Sequence, residues 1–401
     1  MSVPEDDLPT PARPPRAARL PALGAVALLL AAVAVPHLFH LVVAGPPTSL
    51  PYHGPPLKPS PAKQFRGICI QLPSWDPKRP YEQFVREIAR TGANTICISV
   101  AAHQENAASS VLFVEARRVP SAERVEKLIR LANQLGLSVV FMPIVLLENP
   151  GSGEWRGLIN PKDRKAWWKS YASYILFYAK LAQRAGAKVF MVGSELVSME
   201  DDTAQWKDLI KQVRGAFKGM LCYSANWDHY ENIRYWADLD IVGMTTYHDL
   251  VGEKKPTLEV LMASWKPIKK KILTWQKKVN RPIMFTEVGW PSQVGCAKEP
   301  WNYFGSTTPD LPTQAKCFDA FFRTWRAEKT ICGALIWEWR NWPGQVGGPK
   351  DIGYLPIGKP AMGVIRNFFT SPGPWPTTGA ATRSATRPAS VPTTAPATKR
   401  R

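Results

Sequence analysis

No two of the six cysteines (69, 97, 222, 296, 317 and 332) stand in a CxxC pair. A zinc ribbon needs such pairs, so that class is set aside and no metal site is expected. Helix-turn-helix, zinc-finger and RNP patterns are missing as well. That absence matters because acids are scarce: 32 Asp and Glu stand against 51 Lys and Arg, a formal charge of +19. A basic protein can bind nucleic acid or an anionic surface. Without a reader motif the excess reads as solvated exterior, and no nucleic-acid partner is expected. The charge is uneven: residues 1–63 carry +2 and residues 371–401 carry +5, which leaves +12 for 64–370. Cys69, Cys97, Cys222 and Cys332 sit in apolar runs and read as small buried hydrophobes. Cys296 and Cys317 flank a loop and would be able to pair in an oxidising compartment.

Residues 20–44 lack any acid, lysine or arginine. A membrane span needs about 20 such residues. Arg13, Arg16 and Arg19 precede the stretch and place residues 1–19 in the cytoplasm. Two readings compete. A small-x-small exit at Val42-x-Ala44 fits a cleavable signal peptide, whereas the full apolar length fits an uncleaved anchor, which is favoured. Both readings export the remainder: a single-pass membrane protein with the folded part outside, or a secreted or periplasmic one. The proline-rich stretch 45–63 reads as an extended spacer. Residues 371–401 (Pro, Thr, Ala, Ser, Arg) lack the apolar content to fold and read as a disordered basic tail.

The folded unit is 64–370. It holds eight apolar runs: 65–71, 94–100, 137–147, 188–196, 220–227, 239–247, 282–290 and 331–339. Short runs bounded by Gly, Pro and polar residues fit buried parallel strands. Helical patterns alternate with them at 81–91, 121–135, 161–185, 204–217, 257–279, 313–328 and 359–369, with a shorter segment at 230–236. Asn160-Pro161 reads as an N-cap with proline in the first turn. Gly92, Gly136 and Gly186 each close a helix before a strand. Eight alternations predict a (β/α)8 TIM barrel of the α/β class. An open doubly wound sheet usually carries a glycine-rich phosphate loop after its first strand. Here the first strand runs into GICIQLPSWD, which has none.

Active sites of such barrels form at the C-terminal strand ends. Strand 4 ends in Gly193-Ser194-Glu195 and strand 7 in Thr286-Glu287-Val288-Gly289-Trp290. Strict alternation would put Met191, Gly193 and Glu195 on one face, as it would Phe285, Glu287 and Gly289. Leu335, Trp337 and Trp339 would share another, leaving Glu338 pointing away. Buried carboxylates are costly unless paired or hydrogen-bonded. Two of them on nearly opposite strands match glycoside hydrolysis, which uses one carboxylic acid and one carboxylate. Tyr247 would donate a hydrogen bond that keeps the nucleophile charged. Trp227, Trp290 and Trp337 offer flat faces for sugar rings, and His103 stands where it would line the cleft. Glu105, Glu148, Trp75 and Asp76 follow strands 1 to 3, where a plain loop role fits equally well. A strand-end glutamate that only forms a salt bridge is the bland alternative for either carboxylate.

With VGSEL on strand 4, SANWD on strand 5 and FTEVGWPS on strand 7, the sequence resembles glycoside hydrolase family 113 over residues 65–370. The resemblance implies a retaining hydrolase of a large clan of TIM barrels, with Glu195 as acid/base and Glu287 as nucleophile. It implies β-1,4-mannan as substrate and needs no cofactor. Most of the clan has Asn before the acid/base where this chain has Ser194; Asn226 is the candidate to replace its contact with the sugar. A β-glucanase or β-galactanase of the same clan, and a carbohydrate-binding barrel without catalysis, remain the alternatives.

Overall fold

The structure is a computed structural model that describes residues 54, 56–57, 64–252, 255–340 and 345–371. The expected cytoplasmic segment 1–19, the membrane or signal segment 20–44 and the tail beyond 371 lie outside the described residues, as does most of the spacer 45–63. Among the described residues, no helix is long and apolar enough to cross a membrane.

Eight strands follow the predicted runs: β1 (Phe65–Gln71), β2 (Thr95–Gln104), β3 (Ser138–Leu147), β4 (Val189–Ser194), β5 (Met220–Ala225), β6 (Ile241–Thr245), β7 (Ile283–Val288) and β8 (Ile331–Ile336). Each pairs in parallel with the next, and β8 pairs with β1, so the sheet closes. Among the described residues, seven α-helices cover it: α1 (Tyr81–Arg90), α2 (Ala122–Gln134), α3 (Arg164–Ala185), α4 (Thr203–Ala216), α5 (Leu258–Val279), α6 (Leu311–Trp325) and α7 (Pro360–Thr370). Between β5 and β6 a single 3-10 turn, Trp236–Asp238, stands where an eighth helix would be.

The strands bury both faces, which is why their sequences are nearly continuous apolar runs. Inside the barrel, Cys69, Cys97, Val140, Met142, Met191, Cys222, Met284 and Leu335 pack into one cluster. Cysteine there supplies small apolar volume, as expected from its place in the runs. A second, larger layer lies between strands and helices and is rich in aromatics such as Trp167, Tyr171, Trp206, Tyr223, Phe285 and Phe321.

Helix ends follow their capping residues. Ser121, Asp163, Thr257 and Asp310 each accept a hydrogen bond from a backbone N–H in the first turn. The cap of α3 is therefore Asp163, not Asn160: the carboxylate accepts from the Ala166 N–H, and Pro161 stays outside the helix. Gly92, Gly136 and Gly186 all take left-handed φ values, which let the chain turn from helix into strand. Cys296 and Cys317 are buried neighbours, and both are free thiols.

Candidate active site

At the C-terminal mouth of the barrel two glutamates converge on one arginine. Arg156 Nη2 lies 2.5 Å from Glu195 Oε2 and 3.9 Å from Glu287 Oε1. Those two carboxylate oxygens are thus at most 6.4 Å apart, the sum of the two distances. Arg156 opens the 3-10 turn Arg156–Leu158 in the connection from β3 to α3. Burial disfavours its charge, but the fields of Glu195 and Glu287 more than offset that penalty.

Strand alternation does not account for this convergence. Met191 is inside the barrel, yet a Cβ on Gly193 would stand 2.7 Å from Tyr171 Oη and 2.9 Å from rings of Trp206 and Tyr223, in the helix layer. The register of β4 on β5 shifts between Met191 and Ser194. Glu195 itself adopts φ +53°, a left-handed conformation that non-glycine residues adopt at a cost of about 1–3 kcal/mol. Hydrogen bonds hold it there: its N–H donates to Ser224 O at 2.8 Å, and the next N–H, of Leu196, donates to Tyr223 Oη at 3.0 Å. Tyr223 in turn donates to the buried Glu200 at 2.8 Å. Burial pushes the Glu200 carboxyl up to about 8, and the nearby Glu195 charge adds to this.

On β7, Phe285 faces the helices and packs on Phe321 and Trp325. The register of β7 on β8 shifts between Phe285 and Val288, which frees Glu287 to turn into the mouth. Tyr247 Oη donates to Glu287 Oε2 at 2.7 Å, the contact the sequence suggested. Glu287 Oε1 is buried, has no hydrogen-bond partner among the described residues, and faces Arg156 and Glu195. Burial pushes the Glu287 carboxyl up to about 8 and the charge of Glu195 adds to it, while Arg156 and Tyr247 pull the other way. One proton is thus retained on the Glu195–Glu287 pair far above the usual carboxylate range.

A third carboxylate belongs to the mouth. Glu338 Oε2 accepts from Gln71 Nε2 at 2.6 Å, and Gln71 ends the same face of β1 that carries Cys69 inside the barrel. The expectation that Glu338 points away is corrected: β8 stops at Ile336, so alternation no longer governs Glu338. Trp339, not Glu338, turns outward, donating from its indole to Glu87 of α1 at 3.0 Å.

The other candidates divide. Trp337 stays half-buried above the interior cluster. Trp227 is half-buried and stacks on Trp301. Asn226 donates to Asp228 at 2.8 Å and lies beside Thr245. His103 is on the interior face of β2, but its ring stacks on Phe113 and its charged neighbours are Arg118 and Glu148. Trp290 is no sugar platform: it is 0% exposed and packs under Phe318 and Phe321 of α6. Ser194 is buried, and its hydroxyl has no hydrogen-bond partner among the described residues. Glu148 pairs with Arg118, Glu105 accepts from Asn149, and Asp76 accepts from the Lys78 N–H, all structural roles near the surface. Trp75 is an exposed ring on the loop after β1.

Arg156, Glu200 and Tyr223 were not singled out from sequence. The two former lie in turns with no periodic signal, and Tyr223 looks like any strand aromatic. A surface depression of about 440 Å³ lined by Lys188, Arg214, Met220 and Asp240 lies at the N-terminal ends of β4 to β6, opposite the carboxylates. In barrels that end serves stability.

The model of glycoside hydrolase family 113 matches residues 72–359. A family 113 β-1,4-mannanase superposes with a TM-score of 0.69 at 24% identity, covering 77% of this chain and 99% of that one. The family 113 β-mannanase of Alicyclobacillus acidocaldarius, solved in complex with ManMIm, gives 0.68 at 25% identity, with 76% and 97% covered. A Thermotoga maritima enzyme solved with mannotriose gives 0.52 at 16% identity, with 77% and 98% covered, a likeness of fold alone. No curated protein sequence matches the chain.

Proposed function

The chain belongs to glycoside hydrolase family 113, and from that membership we propose that it cleaves β-1,4-linked mannan with retention of configuration. Glu287 is the nucleophile and Glu195 the acid/base. The observation that carries this reading is the single arginine nitrogen shared by both carboxylates. It bounds their oxygens at 6.4 Å, below the roughly 6.5–9.5 Å that leaves room for a water in inverting enzymes.

In the first step, Glu287 Oε1 forms a bond to the anomeric carbon as the glycosidic C–O bond breaks. Glu195 gives its proton to the departing oxygen. In the second, Glu195 takes a proton from water, the water oxygen bonds to the anomeric carbon, and the Glu287 ester bond breaks. The pair therefore has to hold one proton at the start, which matches its retention of one proton up to about pH 8. Tyr247 occupies the other oxygen of Glu287 and favours its charged form. Arg156 lies 2.5 Å from Glu195 and within 3.9 Å of Glu287, where its charge meets both carboxylates.

The family 113 structures that the chain resembles are β-mannanases, which favours mannan over glucan or galactan here. The test is product analysis of the full chain on mannan, glucomannan, galactan and β-glucan beside Glu287→Gln and Glu195→Gln. Mannan oligosaccharides that vanish in both variants support the reading. Cleavage of β-glucan or galactan alone overturns the substrate, and near-normal turnover by both variants overturns the mechanism.

We also propose that residues 20–44 hold the barrel outside the cytoplasm. Its motive is the uncharged apolar length behind three arginines. Protease added to intact cells should remove the barrel; full protection of the barrel would contradict this.

A further inference from the structure

The connection from β7 to α6, residues 289–310, is unusually long for a barrel of this kind. It is not loose. Gln293 bridges to Pro309, Val294 N–H donates to Thr308 O, Leu250 N–H donates to Ala297 O, and Tyr354 Oη donates to Pro300 O at 2.6 Å. On this fixed frame three aromatic rings face solvent: Trp301 is 44% exposed, Tyr303 50% and Phe304 83%. Exposed rings in one rigid loop contribute little to folding, which points to a ligand.

The rings are continuous with the carboxylates. Tyr247, which holds Glu287, has its ring 6.3 Å from Tyr354, and Tyr354 is 6.1 Å from Tyr303. Tyr303 is 4.2 Å from Phe304. A second arm stacks Trp301 on Trp227 at 5.9 Å and an interplanar angle of 16°, so one face of the Trp301 indole is braced by the ring at the end of β5.

We propose that the 289–310 loop is a distal subsite that stacks successive sugar rings of a β-glycan chain, with Trp301 and Tyr303 as its main platforms. This rests on the glycosidase reading and adds chain-length preference to it. Aromatic faces suit the C–H faces of pyranose rings, and the rings are held in place before substrate arrives, so little ordering entropy is lost on binding. A short substrate fills only the space between Glu195 and Glu287. A longer one extends over the loop.

The experiment compares kcat/KM of the full chain on β-1,4-manno-oligosaccharides of increasing length for wild type, Trp301→Ala, Tyr303→Ala and Trp301→Phe, with thermal melts to confirm folding. The proposal expects each Ala variant to lose roughly tenfold on the longest substrate, the size of one aromatic contact. It expects no loss on the shortest for Trp301→Ala, and Trp301→Phe to recover most of the gain. Equal losses at every length, or none at any, overturn it. If wild type cleaves no manno-oligosaccharide, the mannan reading fails separately. Retardation of the protein in gels cast with soluble glucomannan, galactan or β-glucan then decides: retardation lost in Trp301→Ala upholds the subsite. Retardation unchanged in Trp301→Ala, or none on any glycan, overturns it, and self-association that Trp301→Ala abolishes assigns the rings to contact between copies.

Discussion

Arg156 Nη2 stands 2.5 Å from Glu195 Oε2, so the residue cast as proton donor is held by a cation. A cation beside two carboxylates stabilises their charged forms. Replacing Arg156 with Gln should therefore raise the apparent pKa of the pair and move both limbs of the kcat/KM profile to higher pH. Wild type should lose activity as pH rises through about 8, where the pair gives up its proton. A variant profile that superposes on wild type would show that Arg156 does not set the charge of the pair.

Tyr247 donates to Glu287 at 2.7 Å within a buried site. Hydrogen bonds to charged groups contribute about 1.5–3 kcal/mol. Tyr247→Phe should lower kcat about 10- to 100-fold and leave the melting temperature near wild type. Unchanged turnover would remove Tyr247 from the support of the nucleophile.

Glu200 is buried behind Glu195, and its carboxyl sits at about 8 when folded. In the unfolded chain it ionises near about 4.3. Between those values the folded state binds the extra proton, so this contribution to stability is complete below about 4.3 and is lost as pH rises to about 8. Melts across that window should fall with pH in wild type and fall less steeply in Glu200→Gln. Parallel curves would mean that Glu200 takes up no proton on folding.

Gly193 has no room for a side chain, with Tyr171, Trp206 and Tyr223 all within 3.0 Å of a built Cβ. All three are fully buried rings, and Tyr223 also anchors the Leu196 N–H just after Glu195. Gly193→Ala should cost about 1–3 kcal/mol in chemical denaturation and reduce activity beyond that, because strain displaces Glu195. Stability and activity equal to wild type would contradict the packing described.

The barrel was legible because its strands are buried on both faces and its helices are periodic, three of them closed by Gly92, Gly136 and Gly186. Glu195 and Glu287 were legible for a chemical reason, as acids at the ends of apolar runs. Their orientation was not. Alternation put Phe285 and Glu287 on one face, yet a register shift separates them, and the direction of Glu195 comes from a left-handed residue just beyond β4. The same logic dismissed Glu338, which joins Gln71 in the mouth. Trp290 misled because an aromatic after a strand can equally fill the helix layer. Arg156 lies in a turn, where no pattern announces it, whereas the neighbourhood of Cys296 and Cys317 was suggested by their places on either side of one loop.

The central claim is that Glu287 forms a covalent bond to the sugar. The most direct test incubates the full chain with an activated fluoromannoside, whose electron-poor ring slows release of the intermediate, and reads peptide masses. The account predicts one fluoromannosyl unit on the peptide containing Glu287 and none in Glu287→Gln. An adduct on Glu195, or no adduct on Glu287 in an enzyme that turns over mannan, would contradict it.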